Sequence, residues 1–392
     1  MTWRRSARSV VIALALLGGC AHRTTPVARA ATVPALPPDA VTARRLEFIE
    51  RTLYAVAAVR GLPVTSRPRI ELVDDDKFNT ACLADHLRFG YGTQATQQEC
   101  SNVFAYYDSV RDCVVLPSAR IDRLDAHNSS AVLAHELEHW LVAHTLPAIP
   151  ESGRDDASAA SNALAEGDAQ IASLAYVLSL KGLRLADYIQ RALAEFSRDE
   201  EKSIDDHKYF VYSLGARFVG ELFARGGFRA VDEAFRRPPK STAEILHVDR
   251  YLAHEPLPTI ATSLPLPPGF TTDYRKSMGE LGLRRFLALC EPPAMAIAIA
   301  EDYMADDNTT SKPTADAHHV MGRWVILWRS EVSAMTFART IERCRDPGVQ
   351  VAQEDALSVV VMGLDASAAR TYAAAVLADV RRGAGQSTRP RP

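Results

Sequence analysis

The sequence of 392 residues predicts a mostly helical α+β fold in two domains. Apolar residues recur three and four positions apart over much of the chain, which is typical of helices that bury one face. Strand-like segments are few and short, as in PRIELV at 68–73 and CVVL at 113–116. A proline-rich passage at 255–270 separates the chain into a longer and a shorter part. We therefore predict a larger domain at 41–265 and a small α+β domain at 266–385, with the proline-rich passage as a boundary or a covering strap.

The elements of the larger domain follow from local patterns. The segment 39–60 has helical apolar spacing and ends at Gly-Leu-Pro, which predicts a helix. The segment 102–117 predicts a hairpin, because a turn-forming stretch separates two apolar runs. The other predicted elements are a strand at 68–73, a helical or irregular segment at 76–90, a helix at 131–144, helices at about 156–180 and 185–197, and a loop-like segment at 236–252.

The smaller domain is predicted from four alternating segments. GRWVILWRS and ALSVVVMGL are rich in β-branched and aromatic residues and predict strands. SAMTFARTIERC and SAARTYAAAVLADVRR predict helices. The resulting β-α-β-α order indicates a small α+β unit.

The composition is that of a folded, weakly acidic protein. Hydrophobic residues make up 47% of the chain, charged residues 24%, and the formal net charge is -3. Nucleic-acid binding requires a basic surface, and neither such a charge balance nor a nucleic-acid-binding motif is present. We therefore expect no nucleic-acid partner.

The N-terminus predicts export and lipid attachment. Three arginines within the first eight residues precede the apolar run VVIALALL and then LGGC, which resembles a bacterial lipobox. We predict a lipoprotein signal peptide at 1–19, lipidation of Cys20 and a flexible tether at 20–40, because the tether is rich in Pro, Ala and Thr. The mature protein would then be anchored by lipid in the cell envelope, at the outer membrane or on the periplasmic face. The alternative is an ordinary secretory signal with a chance cysteine.

Export also bears on the cysteines, because disulfides form and persist in oxidising compartments. With Cys20 assigned to lipid, five cysteines remain, so all of them cannot pair within one chain. Cys82 with Cys100 and Cys290 with Cys344 are candidate bridges, although connectivity does not follow from sequence. The alternative for each is a small buried hydrophobic residue.

The segment AVLAHELEHWLVAH at 131–144 contains the chemically most informative pattern. His135 and His139 lie four residues apart, so on a helix they project from the same face and can bind one metal ion. The opposite face carries large apolar residues. We therefore expect one face of this helix to pack in the hydrophobic core and the other to carry the metal-binding and catalytic groups.

A catalytic zinc ion takes three protein ligands and keeps one position open for water. Two histidines do not complete that set, and ALAEGDAQIA offers Glu166 on the next long helix, 27 residues after His139. Glu136 directly follows His135 and could take a proton from a metal-activated water. The predicted chemistry is hydrolysis of an amide bond.

These motifs carry a family resemblance. HELEH followed by a helix with Glu-Gly resembles the gluzincin class of zinc metallopeptidases. The wider pattern, over about residues 65–345, is similar to an uncharacterised family of bacterial exported metallopeptidase-like lipoproteins. The resemblance implies a zincin-like domain with an active-site helix and a small edge sheet, with CVVL as the edge strand. It implies Zn²⁺ held by His135, His139 and Glu166, and Glu136 as the general base.

The chain departs from the gluzincin pattern in one place. Many gluzincins have an aspartate four residues after the ligand glutamate, where this chain has Gln170. Asp168 is our candidate for an outer-shell partner, and a capping or packing carboxylate is the alternative. For the donor to the oxyanion, Tyr212 in YSLG is the first candidate and His247 the second. A half-buried aromatic residue and a hydrogen-bonded loop histidine are the alternatives for these two.

Two functional hypotheses follow. The first is a lipid-anchored zinc peptidase of the cell envelope that acts on a peptide or protein substrate. The second is a zinc-binding or structural lipoprotein that keeps the metallopeptidase fold without catalysis. The pair His318 and His319 is a weak metal signal, and we expect it on the surface.

Overall fold

The computed structural model describes residues 40–88, 100, 103–119, 127–149, 156–260, 262–313, 320–344 and 348–387. The predicted signal peptide at 1–19, the lipidation site Cys20 and the His318–His319 pair lie outside these residues, as does the predicted tether except for its last residue. The described residues form helices and two small sheets, which confirms the α+β class. They divide into two compact units: the described residues up to 149 together with 158–239 form the first, and residues 156–157 together with the described residues from 240 onward form the second.

The first unit is mainly helical. Its elements are α1 (Ala40–Arg60), β1 (Arg69–Val73), α2 (Asp75–Arg88), β2 (Tyr106–Asp108), β3 (Cys113–Pro117), α3 (His127–Thr145), α4 (Asp156–Ser179), α5 (Leu185–Phe196), α6 (Lys202–Asp205), a π-helix (Tyr209–Leu214) and α7 (Gly215–Arg236). The first residues of α4 are grouped with the second unit.

The three strands of this unit form one sheet in the order β1-β3-β2. β3 is parallel to β1 and antiparallel to β2. The prediction that CVVL is an edge strand is therefore wrong, because β3 is the central strand. The physical reason is that β3 has a hydrogen-bonded partner along each edge, β1 on one side and β2 on the other. All five of its residues are buried, as expected for a short continuous apolar run in an inner strand.

The helix α3 lies between α1 and the sheet. Leu133, Leu137 and Leu141 share a hydrophobic core with Leu53 of α1 and Val114 of β3. On the other side of the sheet a second cluster joins α2 to β2 and β3. Every residue of α3 from 130 to 141 is buried, so the face that carries the histidines is enclosed as well.

The second unit is an α+β unit around a larger sheet. Its elements are α8 (Thr242–Leu246), α9 (Val248–Leu252), β4 (Phe270–Lys276), α10 (Gly279–Leu287), α11 (Pro293–Ala300), β5 (Tyr303–Pro313), β6 (Met321–Trp328), α12 (Glu331–Cys344), β7 (Val349–Glu354), β8 (Leu357–Met362) and α13 (Ala366–Ser387). The strand order is β4-β5-β6-β8-β7, and every neighbouring pair is antiparallel.

The two long helices of this unit cover opposite faces of its sheet. Trp328 of β6 packs against Phe337 of α12, with the two rings tilted and their centroids 5.0 Å apart. On the other face of the sheet, Val325 of β6 and its cross-strand partner Val359 pack against α13. The four predicted segments correspond to β6, α12, β8 and α13, whereas β4, β5 and β7 were not predicted.

The unit boundary falls at residues 239 and 240, before the predicted boundary at 265 and 266. The predicted loop at 236–252 contains α8 and α9, and Arg250 of α9 donates from Nη1 to the carbonyl of Tyr303, at 2.8 Å. Ile260 and Leu264 from the proline-rich passage pack in the core with α13. Asp379 of α13 accepts hydrogen bonds from the same passage. Of the two alternatives, the proline-rich passage is therefore a strap over the second unit.

Both candidate disulfides are formed. The Cα atoms lie 5.8 Å apart in Cys82–Cys100 and 5.7 Å apart in Cys290–Cys344, within the usual range for a disulfide. Cys113 is buried and carries a free thiol. The pairing suggested by sequence is confirmed.

Within the described residues, none of the helices combines the length and the apolar composition that crossing a bilayer requires.

Candidate metal centre

Three predicted ligands from two helices converge at one point in the first unit. His135 and His139 of α3 have their Nε2 atoms 3.0 Å apart. Oε2 of Glu166, on α4, lies 3.0 Å from Nε2 of His135 and 3.4 Å from Nε2 of His139. The three side chains are almost completely buried. The geometry therefore places a cluster of two imidazoles and one carboxylate inside the protein.

The separations fit a tetrahedral metal ion. Ligands bound at about 2.0–2.1 Å in a tetrahedral site lie roughly 3.3 Å from one another. The three separations in the cluster are 3.0, 3.0 and 3.4 Å. The cluster can thus hold a divalent ion with little movement of its side chains.

The second carboxylate oxygen of Glu166 supports this interpretation. Its Oε1 atom is buried and has no hydrogen-bond partner within the part of the chain that the structure describes. A buried polar oxygen without a partner costs free energy, so such atoms are uncommon in folded proteins. A cation at the cluster would remove that cost.

The two histidines differ in their electrostatics. Burial lowers the pKa of His135, but the hydrogen bond to Glu166 and the negative charges of Glu136 and Glu166 together raise it above its ordinary value. Burial and the neighbouring His135 hold the pKa of His139 well below its ordinary value. His139 is therefore neutral near pH 7, which is the form of imidazole that binds metals.

Glu136 is buried beside the cluster and is held by the sheet. Its Oε2 atom accepts a hydrogen bond from the backbone N–H of Tyr107, at 2.8 Å. Tyr107 lies on β2, one of the two outer strands of the small sheet. The carboxylate is thus fixed next to His135 without being one of the three converging ligands.

The structure brings Tyr212 to the same place. Its ring is buried, and its centroid lies 6.1 Å from that of His135. Tyr212 belongs to the π-helix Tyr209–Leu214, a rare conformation that is frequent at functional sites. The sequence predicted the residue, whereas the π-helix was not predicted.

Two glycines explain how this tyrosine reaches the cluster. A Cβ atom on Gly167 would lie 2.3 Å from the carbonyl carbon and oxygen of Gly215, and one on Gly215 would lie 2.2 Å from the carbonyl oxygen of Ala163. Only glycine at both positions permits this approach of the two backbones. The glycines of the Glu-Gly and Tyr-x-x-Gly motifs therefore contact each other. This contact packs the π-helix against α4, the helix that carries Glu166.

Asp168 does not face the cluster. It accepts hydrogen bonds from Arg60, with Nη2 of the arginine 2.9 Å from Oδ2 and Nε 3.0 Å from Oδ1. This agrees with its place on nearly the opposite side of α4 from Glu166. Sequence reasoning missed Arg60 and also Glu138, because their pairing joins residues far apart in the chain.

His247 belongs to the second unit. Its Nε2 atom lies 2.9 Å from both carboxylate oxygens of Glu280. Glu280 is fully buried and also accepts a hydrogen bond from Nη2 of Arg284, at 2.7 Å. The imidazole of His247 therefore has a charged partner within its own unit.

The interpretation of the metal centre depends on the geometry and chemistry of these residues. No protein-family model, no curated protein and no solved structure matches the chain.

Proposed function

We propose that the protein is a zinc-dependent peptidase built on a zincin-like domain. The observation that carries the proposal is the convergence of His135, His139 and Glu166, with the buried carboxylate of Glu136 beside them. Two metal ligands on one helix, a third on the next, and a buried acid next to the first are the parts that metal-assisted amide hydrolysis requires.

The donor set favours zinc over the harder cations. Calcium and magnesium prefer six or more oxygen ligands, whereas two imidazole nitrogens and one carboxylate suit zinc. When bound, zinc would act as a Lewis acid that polarises the scissile carbonyl and lowers the pKa of a water molecule.

The side chains around the cluster have distinct roles in this proposal. Glu136 takes a proton from the attacking water and then delivers it to the leaving amine, so that the carboxylate is regenerated. The N–H of Tyr107 keeps that carboxylate in place. The hydroxyl of Tyr212 donates a hydrogen bond to the carbonyl oxygen as negative charge develops on it.

The test is Glu136→Gln, which keeps the shape of the side chain and removes the base. We expect kcat/KM for a peptide identified by unbiased library digestion to fall by about 10²–10⁴-fold, with zinc content unchanged. Glu233→Gln is the control, because Glu233 is 65% exposed and pairs only with Arg236 among the ion pairs of the described residues. A zinc-loaded wild type that cleaves no peptide would support the zinc-binding or structural lipoprotein instead.

We also propose that the protein is exported and anchored by lipid at Cys20. The two disulfides support export, since such bonds are rare in reducing compartments. Metabolic labelling with a radioactive fatty acid should label the wild type and leave Cys20→Ala unlabelled. Equal labelling of both proteins would contradict the anchor.

A further inference from the structure

A second cluster of charged residues, most of them buried, includes one residue from each of the two helices that supply the metal ligands. We call it the Arg60 cluster; it consists of Arg60, Glu138, Asp168 and Asp232. Arg60 ends α1, Glu138 is on α3, Asp168 on α4 and Asp232 on α7. One guanidinium therefore joins four helices of the first unit.

The contacts of Arg60 are close and enclosed. Two of its nitrogens donate to Asp168, its Nη1 atom lies 2.7 Å from Oδ1 of Asp232, and its Nε atom lies 3.7 Å from Oε1 of Glu138. Its guanidinium carbon also lies 4.5 Å from the centroid of the Phe228 ring. The side chains of Arg60 and Asp168 have no exposed surface, and that of Glu138 is 1% exposed.

The position of the cluster in the sequence links it to the metal centre. Glu138 directly precedes His139, and Asp168 follows Glu166 by two residues. Oε2 of Glu138 lies 4.0 Å from Nδ1 of His139. A movement of either carboxylate away from Arg60 would shift the backbone that carries a ligand.

The charges explain why the two helices need such a contact. Four carboxyl groups from α3 and α4 are each at most 2% exposed: Glu136, Glu138, Glu166 and Asp168. Carboxyl groups buried near one another repel when both are charged, so they need a nearby cation or a shared proton. The planar guanidinium of Arg60 offsets this repulsion, and its fork binds Asp168 through two nitrogens, which a lysine cannot do.

We propose that Arg60 is a positioning residue of the metal centre. By holding Asp168 of α4 and Glu138 of α3 on one guanidinium, it sets the separation between Glu166 and His139. This proposal rests on the proposed metal site, but it does not require that the protein cleaves peptides.

The test compares Arg60→Met and Arg60→Lys with Arg217→Met. Arg217 is the matched control, since it is a largely buried arginine of the same unit that pairs with Glu200, at 2.8 Å. Zinc dissociation constants would be measured by competition with a chelator at a temperature where circular dichroism shows each protein folded. The absorption spectrum of the cobalt-substituted proteins would report the coordination geometry.

We expect both Arg60 variants to bind zinc about 10–100-fold more weakly than the wild type, with a changed cobalt spectrum, because outer-shell partners typically have effects of this size. Arg217→Met should keep the wild-type affinity and spectrum even where its stability is lower. If Arg60→Met does not fold, Arg60→Lys and Asp168→Asn provide the same comparison.

Folded Arg60 variants with wild-type zinc affinity and spectrum would overturn the proposal and reduce Arg60 to a structural role. A wild type that binds zinc but cleaves nothing would refute the peptidase and leave this measurement intact. A wild type that binds no zinc would refute both.

Discussion

Each unit of the protein contains a buried glutamate that faces a histidine, and the two differ in how their charge is balanced. In the second unit, Glu280 lies 2.9 Å from His247 and accepts two hydrogen bonds from Arg284. In the first unit, Glu166 lies 3.0 Å from His135 and 3.4 Å from His139, while its Oε1 atom has no hydrogen-bond partner among the described residues.

A buried carboxylate needs positive charge or hydrogen-bond donors close to its oxygens. Arg284 provides Glu280 with a positive charge and two hydrogen bonds, and His247 lies within hydrogen-bonding distance, so these contacts come from the protein itself. Glu166 contacts two imidazoles, and that of His139 is neutral near pH 7 because its pKa is held low. We infer that the first arrangement is an ion pair of the fold, and that the second is completed by a metal ion.

The same substitution at Glu166 and at Glu280 tests whether the two carboxylates differ in role. Glu166→Gln should weaken zinc binding by more than the roughly 10–100-fold that loss of an outer-shell partner causes. Glu280→Gln should leave zinc affinity unchanged and destabilise the second unit by about 3–5 kcal/mol, because it removes the counterion of the buried guanidinium of Arg284. Isothermal titration with zinc and thermal unfolding measure the two effects. Equal loss of zinc affinity in both variants would contradict the distinction.

The two candidate oxyanion donors, Tyr212 and His247, also belong to different units. Tyr212→Phe should lower kcat by about 10²–10³-fold with a small change in KM, because the hydroxyl acts only on charge that develops during the reaction. His247→Gln should reduce thermal stability and leave kcat near that of the wild type, since Nε2 of His247 is bound to Glu280. Steady-state kinetics on both variants decides between them, and the reverse pattern would assign the donor role to His247.

A third buried carboxylate, that of Asp156, should have a smaller effect, which is on the pH dependence of stability. Asp156, grouped with the second unit, is balanced by neutral donors, and its Oδ1 accepts from the backbone N–H of Thr242 at 2.9 Å. Burial raises the pKa of Asp156 from 3.8 to about 6, against the opposing effect of hydrogen bonds from Ser241 and Thr242. The unfolded chain therefore releases this proton at lower pH than the folded protein does.

The contribution of Asp156 to stability should accordingly be greatest below pH 4 and decrease as the pH rises to about 6. The loss is about 3 kcal/mol by the usual conversion of a pKa difference. Denaturant unfolding of the wild type and Asp156→Asn between pH 4 and pH 7 isolates the contribution of Asp156 to the free energy of unfolding, because the variant lacks the titrating group. A difference between the two proteins that does not change with pH would contradict the assignment.

The sequence predicted most of the candidate centre, because local spacing determines most of it. The i and i+4 positions of His135 and His139 imply a shared helix face, and the structure brings both histidines together with Glu166. Arg60 was not predicted, since no local pattern relates the end of α1 to the middle of α3 and α4. The role of Gly215 became visible only when the structure placed it against Gly167.

The fold was predicted less completely than the centre. Long helices and apolar strands were found because their periodicity is strong. β5 was missed, because YMADDNTTSKP is largely polar and resembles a loop. The central position of β3 was also missed. β1 and β3 are parallel strands that lie far apart in the sequence, so no local pattern predicts that they pair.

Two side chains of α3 and one of α4 should bind a single zinc ion. A crystal of the zinc-loaded protein, measured on both sides of the zinc absorption edge, tests this directly. We expect one anomalous peak about 2.0–2.2 Å from Nε2 of His135, Nε2 of His139 and a carboxylate oxygen of Glu166. A protein that takes up zinc elsewhere, with no peak between these three residues, would contradict it.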